Sequence, residues 1–231
     1  MFSKFSSYLN PFSPYSQRSN DQQQQQAQPD IQPITPTDRF KIVVVLDESG
    51  SMQNIRMNML NSLNDLITEQ KQIKERPATF TLIKFNDKIN TLIENVPLET
   101  AAILAPEAYI PNGSTALYDA LGYTINRFRN ERDVLLVIIT DGHENASTNF
   151  NKSYVSTKLK EKEKYNKWSY VYLSCDLSTM EQGNNMGFNS SAVCSNIRVD
   201  KESFGSYMSA NVNSAVSNFR TKGISVQSQL N

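Results

Sequence analysis

Two stretches of the chain are apolar almost without interruption, KIVVVL (41–46) and VLLVIIT (134–140). Near-continuous β-branched runs of this length predict central parallel strands covered on both faces. Further strands are predicted at TFTLIKF (79–85), over 89–96, at WSYVYLS (168–174) and, more weakly, at VCSNIRV (193–199). Asn86-Asp87 predicts a tight turn, which makes 89–96 an antiparallel edge strand. Between the strands, apolar residues recur at helical spacing. Met52, Ile55, Met59, Leu63, Leu66 and Ile67 form one stripe, and Leu117, Leu121, Ile125 and Phe128 a second. Phe204, Met208, Val212, Ala215 and Phe219 form a third. The charged segment from Lys158 to Lys167 predicts a solvated helix face. Strands alternating with helices imply an α/β fold: a doubly wound, mostly parallel six-stranded sheet with one antiparallel edge strand and helices on both faces.

The pattern begins near residue 39 and ends near 222, which bounds one domain. Residues 1–38 are rich in Ser, Pro and Gln, include the run Gln22 to Gln26, and predict a disordered tail. Within it Phe2, Phe5, Tyr8, Leu9 and Phe12 fall at roughly helical spacing, with Lys4 and Arg18 nearby. A short amphipathic anchor, a partner peptide or a transit-like segment stays open there, although Pro11 and Pro14 cut the pattern short. Residues 223–231 read as a C-terminal tail.

Composition narrows the function classes. Of 231 residues 39% are hydrophobic, enough to bury a sizeable core. Basic and acidic residues balance at 23 each, so no global field favours nucleic acid or an anionic membrane, and no nucleic-acid partner is expected. No apolar run reaches the length of a transmembrane segment, and the N-terminus lacks the continuous apolar stretch of a secretory signal. Cys175 and Cys194 do not make a disulfide framework, which points to a reducing, cytoplasmic setting.

Three motifs carry chemistry. Asp47-Glu48-Ser49-Gly50-Ser51 directly follows the first central strand, Gly113-Ser114-Thr115 leads into the second helical stripe, and Thr140-Asp141-Gly142 ends the fourth strand. Each alone is ordinary turn or helix-capping chemistry. Together, and in this order, they fall where a doubly wound sheet binds ligands, outside the carboxyl ends of strands at a reversal of strand order. The residue types suit a hard cation such as Mg²⁺, which takes oxygen ligands at roughly 2.0–2.1 Å in an octahedron and tends to keep several waters. Ser49, Ser51 and Thr115 offer neutral hydroxyls, and Asp47 and Asp141 offer carboxylates. Such a donor set neutralises little of the ion's charge, so the ion still attracts an outside carboxylate.

The Asp-x-Ser-x-Ser, Thr and Asp elements resemble the metal-ion-dependent adhesion site of the von Willebrand factor A family, which includes integrin inserted domains. The likeness spans roughly residues 40 to 220, and GSTALYDAL and TDGHENAS are similar to segments of intracellular bacterial and phage-like members. The resemblance implies a Rossmann-like fold and a complete site for Mg²⁺ or Mn²⁺. It further implies direct coordination by Ser49 and Ser51, with Thr115 joining when ligand is bound. Asp47 and Asp141 then act largely through water, or Asp141 directly in the unliganded state.

The function implied is that of a binding module that grips a Glu or Asp of a partner protein. Alternatives are a scaffold subunit of a larger, ATPase-containing assembly and a metal-assisted hydrolase. Against catalysis, His143 is the only histidine, and the chain holds neither a Gly-x-Ser-x-Gly elbow nor a phosphate-binding loop. Sequons at Asn112, Asn145 and Asn189 fall in predicted loops. Sugars on the first two would obstruct the site, which again favours an intracellular protein.

Overall fold

The computed structural model describes residues 39–174, 177–186, 188, 193–194 and 212–222. The two apolar runs lie side by side at the centre of the sheet. β1 (Phe40–Asp47) is buried along its whole length. β2 (Ala78–Phe85) pairs with it in parallel, and β3 (Ile89–Pro97) returns antiparallel along β2. On the other side of β1 comes β4 (Val134–Thr140), also buried throughout, with Lys41 opposite Val134 and Leu46 opposite Ile139. β5 (Ser169–Ser174) pairs in parallel with β4, and the two-residue β6 (Val193–Cys194) with β5. The order β3-β2-β1-β4-β5-β6 places the reversal of winding between β1 and β4. A crevice at the carboxyl ends of these two strands is where such sheets bind ligands.

The helices among the described residues are α1 (Arg56–Gln72), α2 (Leu117–Arg127), α3 (Lys152–Asn166), α4 (Leu177–Met186) and α5 (Ser214–Lys222). Alternation along β1 divides the core in two, because successive side chains point to opposite faces. Ile42, Val44 and Leu46 pack with Met59, Leu63, Leu66 and Ile67 of α1 and with Val216 of α5. Val43 and Val45 pack on the other face with Leu117, Leu121 and Ile125 of α2 and Val155 and Leu159 of α3. Each fully buried aliphatic side chain contributes about 1.5–3 kcal/mol relative to exposure.

The structure refines several expectations. The stripe from Met52 to Ile67 is one buried face, but its first turn is a 3₁₀ helix, Gly50–Ile55, in which Met52 N–H donates to Ser49 C=O at 3.1 Å. The tighter i→i+3 bond suits a chain turning directly out of a strand-end loop. The 86–88 connection is the expected turn: Asn86 N–H donates to Lys88 C=O, and Lys88 N–H donates to Asn86 Oδ1. The charged segment is not wholly solvated. Lys162 is buried, with its ammonium donating to Arg129 C=O and lying 5.6 Å from the Trp168 ring centroid, because its long stem lets the charge reach acceptors at the helix edge. Helix α4 and two short 3₁₀ turns, Leu98–Thr100 and Pro106–Ala108, lacked a periodic signal strong enough to predict them. The tails at 1–38 and 223–231, Phe204 and Met208, the strand expected over 195–199, Cys175 and the Asn189 sequon lie outside the described residues.

Candidate metal centre

The three motifs converge at the carboxyl ends of β1 and β4. Asp47, the last residue of β1, is fully buried; its Oδ1 accepts from Ser49 N–H at 2.7 Å and its Oδ2 from the Thr140 hydroxyl at 2.6 Å. Tyr109, also fully buried, donates its hydroxyl to Asp47 C=O at 2.7 Å and so fixes the backbone of the same residue. Ser49 Oγ lies 3.1 Å from Ser51 Oγ, and Ser51 Oγ donates to Asp141 Oδ1 at 2.5 Å. Four of the five expected residues therefore form one connected chain of oxygen donors.

Thr115 completes the group. A methyl placed on Gly142 would lie 2.7 Å from Thr115 Oγ1 and 3.3 Å from both Asp47 Oδ2 and Ser51 Oγ. One point on the loop after β4 thus has oxygens from two other loops around it, and only a residue without a side chain leaves it open. Neither serine nor threonine is occupied with helix capping. Ser49 stands at the N-cap of its 3₁₀ helix without a side-chain cap bond, and α2 begins after Ala116. Its first turn is capped from another loop, by Glu144 Oε2 accepting from Tyr118 N–H at 2.9 Å.

A hydrogen-bonded scaffold holds the loops together. Gly50 N–H donates to Gly113 C=O at 3.1 Å, and Asn112 N–H to Glu48 C=O at 2.8 Å. Gly113 sits at φ +75°, a left-handed conformation that glycine adopts without the steric cost other residues meet. Glu48 turns away from the donor group. Its Oε1 accepts from Lys84 Nζ at 2.7 Å and from Ile110 N–H at 2.8 Å, while Lys84 also donates to Ala108 C=O. Asp119 binds the loop after β4 by accepting from the N–H groups of Thr148, Asn149 and Phe150. Burial raises the Asp119 carboxyl, but these bonds outweigh it and hold its pKa below the ordinary value.

Asp47 shows the opposite balance. Burial pushes its carboxyl up from 3.8 to about 6, against the hydrogen bonds from Thr140 and Ser49, and the Asp141 carboxylate adds a push in the same direction. A buried carboxylate facing a second carboxylate calls for a positive counter-charge. Among the described residues no three His, Cys, Asp or Glu side chains gather into a metal-holding group. Hydroxyls must therefore complete any cation site here, as Ser49, Ser51 and Thr115 are placed to do.

Sequence reasoning missed the supporting residues. Thr140, Tyr109, Glu144 and Asn145 act through bonds between distant segments, which no local period reports. Asn145 belongs to a sequon and is exposed, yet its side-chain oxygen is engaged within the chain, accepting from Thr115 N–H. His143 lies exposed in the loop after Asp141.

At the carboxyl ends of β1 and β4, side-chain oxygens from three loops stand together on an open α/β sheet. The von Willebrand factor type A model matches residues 41–171, more than half of the chain, and the chain belongs to that family. Among solved structures the chain is similar to proximal thread matrix protein 1 of the mussel byssus, with a TM-score of 0.57 and 19% identity, covering 78% of this chain and 47% of that one. It is also similar to the PilB minor pilin of Streptococcus sanguinis, with a TM-score of 0.59 and 12% identity over 82% of this chain and 64% of that one. A third is the von Willebrand factor type A protein of Catenulispora acidiphila, with a TM-score of 0.52 and 14% identity over 74% and 42%. One structure of the mussel protein has a zinc-occupied metal-ion-dependent adhesion site, at 17% identity over 79% of this chain and 47% of that one, with a TM-score of 0.55. The chain spans about half the length of the mussel protein. No curated protein matches the chain. Among the described residues no helix is long and apolar enough to cross a membrane.

Proposed function

We propose that residues 39–222 form a divalent-cation-dependent protein-binding module, a doubly wound six-stranded domain with a complete metal-ion-dependent adhesion site. Ser49, Ser51 and Thr115 would hold Mg²⁺ or Mn²⁺ with Asp47 and Asp141, and a Glu or Asp side chain of a partner protein would complete the coordination. The observation that carries this reading is the set of side-chain oxygens at the ends of β1 and β4: those of Thr115, Ser51 and Asp47 around Gly142, with Ser49 and Asp141 bonded to Ser51. With few formal negative charges around it, a bound cation keeps residual positive charge and attracts an anionic ligand. Membership of a family of metal-dependent adhesion modules supports the reading, as does the zinc-occupied site of the mussel protein. The role we propose is binding rather than catalysis, in keeping with membership of that family. We place the protein inside the cell, where Cys175 and Cys194 stay reduced.

The test is capture of cellular proteins on the immobilised chain, with and without chelator, alongside Ser51→Ala. A partner should be retained only by wild type with Mg²⁺ or Mn²⁺, and free acetate at high concentration should compete. Partners retained equally under all these conditions would overturn the reading and leave a scaffold domain in its place.

A further inference from the structure

Thr115 is gripped on both sides of its backbone by one residue from another loop. Its N–H donates to Asn145 Oδ1 at 2.9 Å, and its C=O accepts from Asn145 N–H at 3.0 Å and from Ala146 N–H at 3.2 Å. The gripping loop is itself anchored. Glu144, next in the chain, accepts from the N–H groups of Tyr118, Ala146 and Ser147, and its own N–H donates to Gln182 Oε1 of α4. On the far side of Thr115, Gly113 C=O accepts from Gly50 N–H, and Ala116 N–H donates to Asn86 C=O at 2.9 Å. Thr115 is 3% exposed, whereas Asn145, which grips it, is exposed.

From this clamp we infer that Asn145 is a positioning residue that presets Thr115 as a standing member of the donor set. The inference rests on the metal reading above and departs from the expectation that Thr115 joins only when ligand arrives. With both its flanks and its own peptide groups bonded, moving Thr115 towards or away from a cation breaks several hydrogen bonds at once. The hydroxyl already faces the point shared by Asp47 Oδ2 and Ser51 Oγ. The cation would therefore meet Thr115 before any partner does, and Asn145 would set the affinity of the free protein for metal.

The experiment is a Mn²⁺ titration of the full chain, followed by electron paramagnetic resonance, in the absence of partner. Its proteins are wild type, Ser51→Ala, Thr115→Ala, Asn145→Ala, Asn145→Asp and the Thr115→Ala/Asn145→Ala double variant, each checked by circular dichroism. Loss of a residue that orients a metal ligand typically weakens affinity roughly 10–100-fold. Asn145→Ala and Thr115→Ala should each show such a loss, and the double variant should bind no worse than Thr115→Ala. Asn145→Asp, which keeps the acceptor for Thr115 N–H, should restore tight binding. Purely structural damage would instead add to the Thr115→Ala loss. Unchanged affinity in Asn145→Ala or in Thr115→Ala, or losses that add, would overturn the inference. Should Asn145→Ala not fold, Asn145→Ser takes its place with the same outcomes. Failure of wild type to bind Mn²⁺, or an unchanged Ser51→Ala, would overturn the metal reading itself and this inference with it.

Discussion

Replacing Asp47 by Asn removes the most heavily desolvated charge at the site while nearly preserving its shape. The carboxyl titrates at about 6 in the folded protein against 3.8 as its ordinary value. Because the folded value is the higher one, this group favours folding fully below pH 3.8, and that contribution is lost as pH rises through about 6. The difference corresponds to roughly 3 kcal/mol, of which about 2 kcal/mol should disappear between pH 4.5 and 7.5. The amide that replaces the carboxyl can keep the bond from Ser49 N–H through its oxygen. Its nitrogen can donate to Thr140 Oγ1, whose hydroxyl already lies 3.2 Å from Gly142 C=O. Urea denaturation in chelator at pH 4.5 and 7.5 reads the effect, taken as the difference between variant and wild type so that other carboxyls cancel. Asp47→Asn should gain about 2 kcal/mol relative to wild type between the lower and the higher pH, and should be at least as stable as wild type at pH 7.5. Added Mg²⁺ should raise the wild-type midpoint and leave that of the variant in place. A difference between the two proteins that does not change with pH would refute the argument, as would a variant markedly less stable at pH 7.5.

The packing sets two further outcomes. Gly142→Ala puts a methyl 2.7 Å from Thr115 Oγ1 inside the donor group; circular dichroism should show a folded protein, at a cost of about 1–3 kcal/mol, and Mn²⁺ titration should show no site. Arg220 of α5 is buried and donates to the carbonyls of Gln70, Ile73 and Arg76 at and beyond the end of α1; Arg220→Met should cost about 3 kcal/mol or more in urea denaturation and speed amide exchange in α1, and neither change would be expected if α5 were a loosely docked appendage.

Much of this architecture was legible because it is written in local pattern. KIVVVL and VLLVIIT read as strands covered on both faces, and their neighbouring positions bring Asp47 and Asp141 together. The convergence of Asp47, Ser49, Ser51, Thr115 and Asp141 was legible because their types are unusual as a set, although each is unremarkable alone. What stayed hidden depends on partners far apart in sequence. Tyr109 belongs to a stretch with little periodicity, yet its hydroxyl anchors the end of β1. Asn145 looked like a glycosylation acceptor, since sequence alone does not say that its amide oxygen accepts from Thr115 N–H. Lys162 looked solvated because charge predicts exposure, whereas its stem crosses Trp168 to reach a carbonyl. Helix α4 was missed because its sequence, LSTMEQGNNM, carries few apolar positions and a glycine.

Calorimetric titration of Mg²⁺ and Mn²⁺ into the purified, chelator-stripped chain tests the central claim most directly, run beside Asp141→Ala and Ser51→Ala at pH 7.5 and again at pH 5. Wild type should bind one equivalent of either ion, more weakly at pH 5, where protons compete for an Asp47 carboxyl that titrates near 6. Both variants should lose that binding while staying folded. A wild-type protein that takes up no Mg²⁺ or Mn²⁺, or variants that bind as wild type does, would contradict the account.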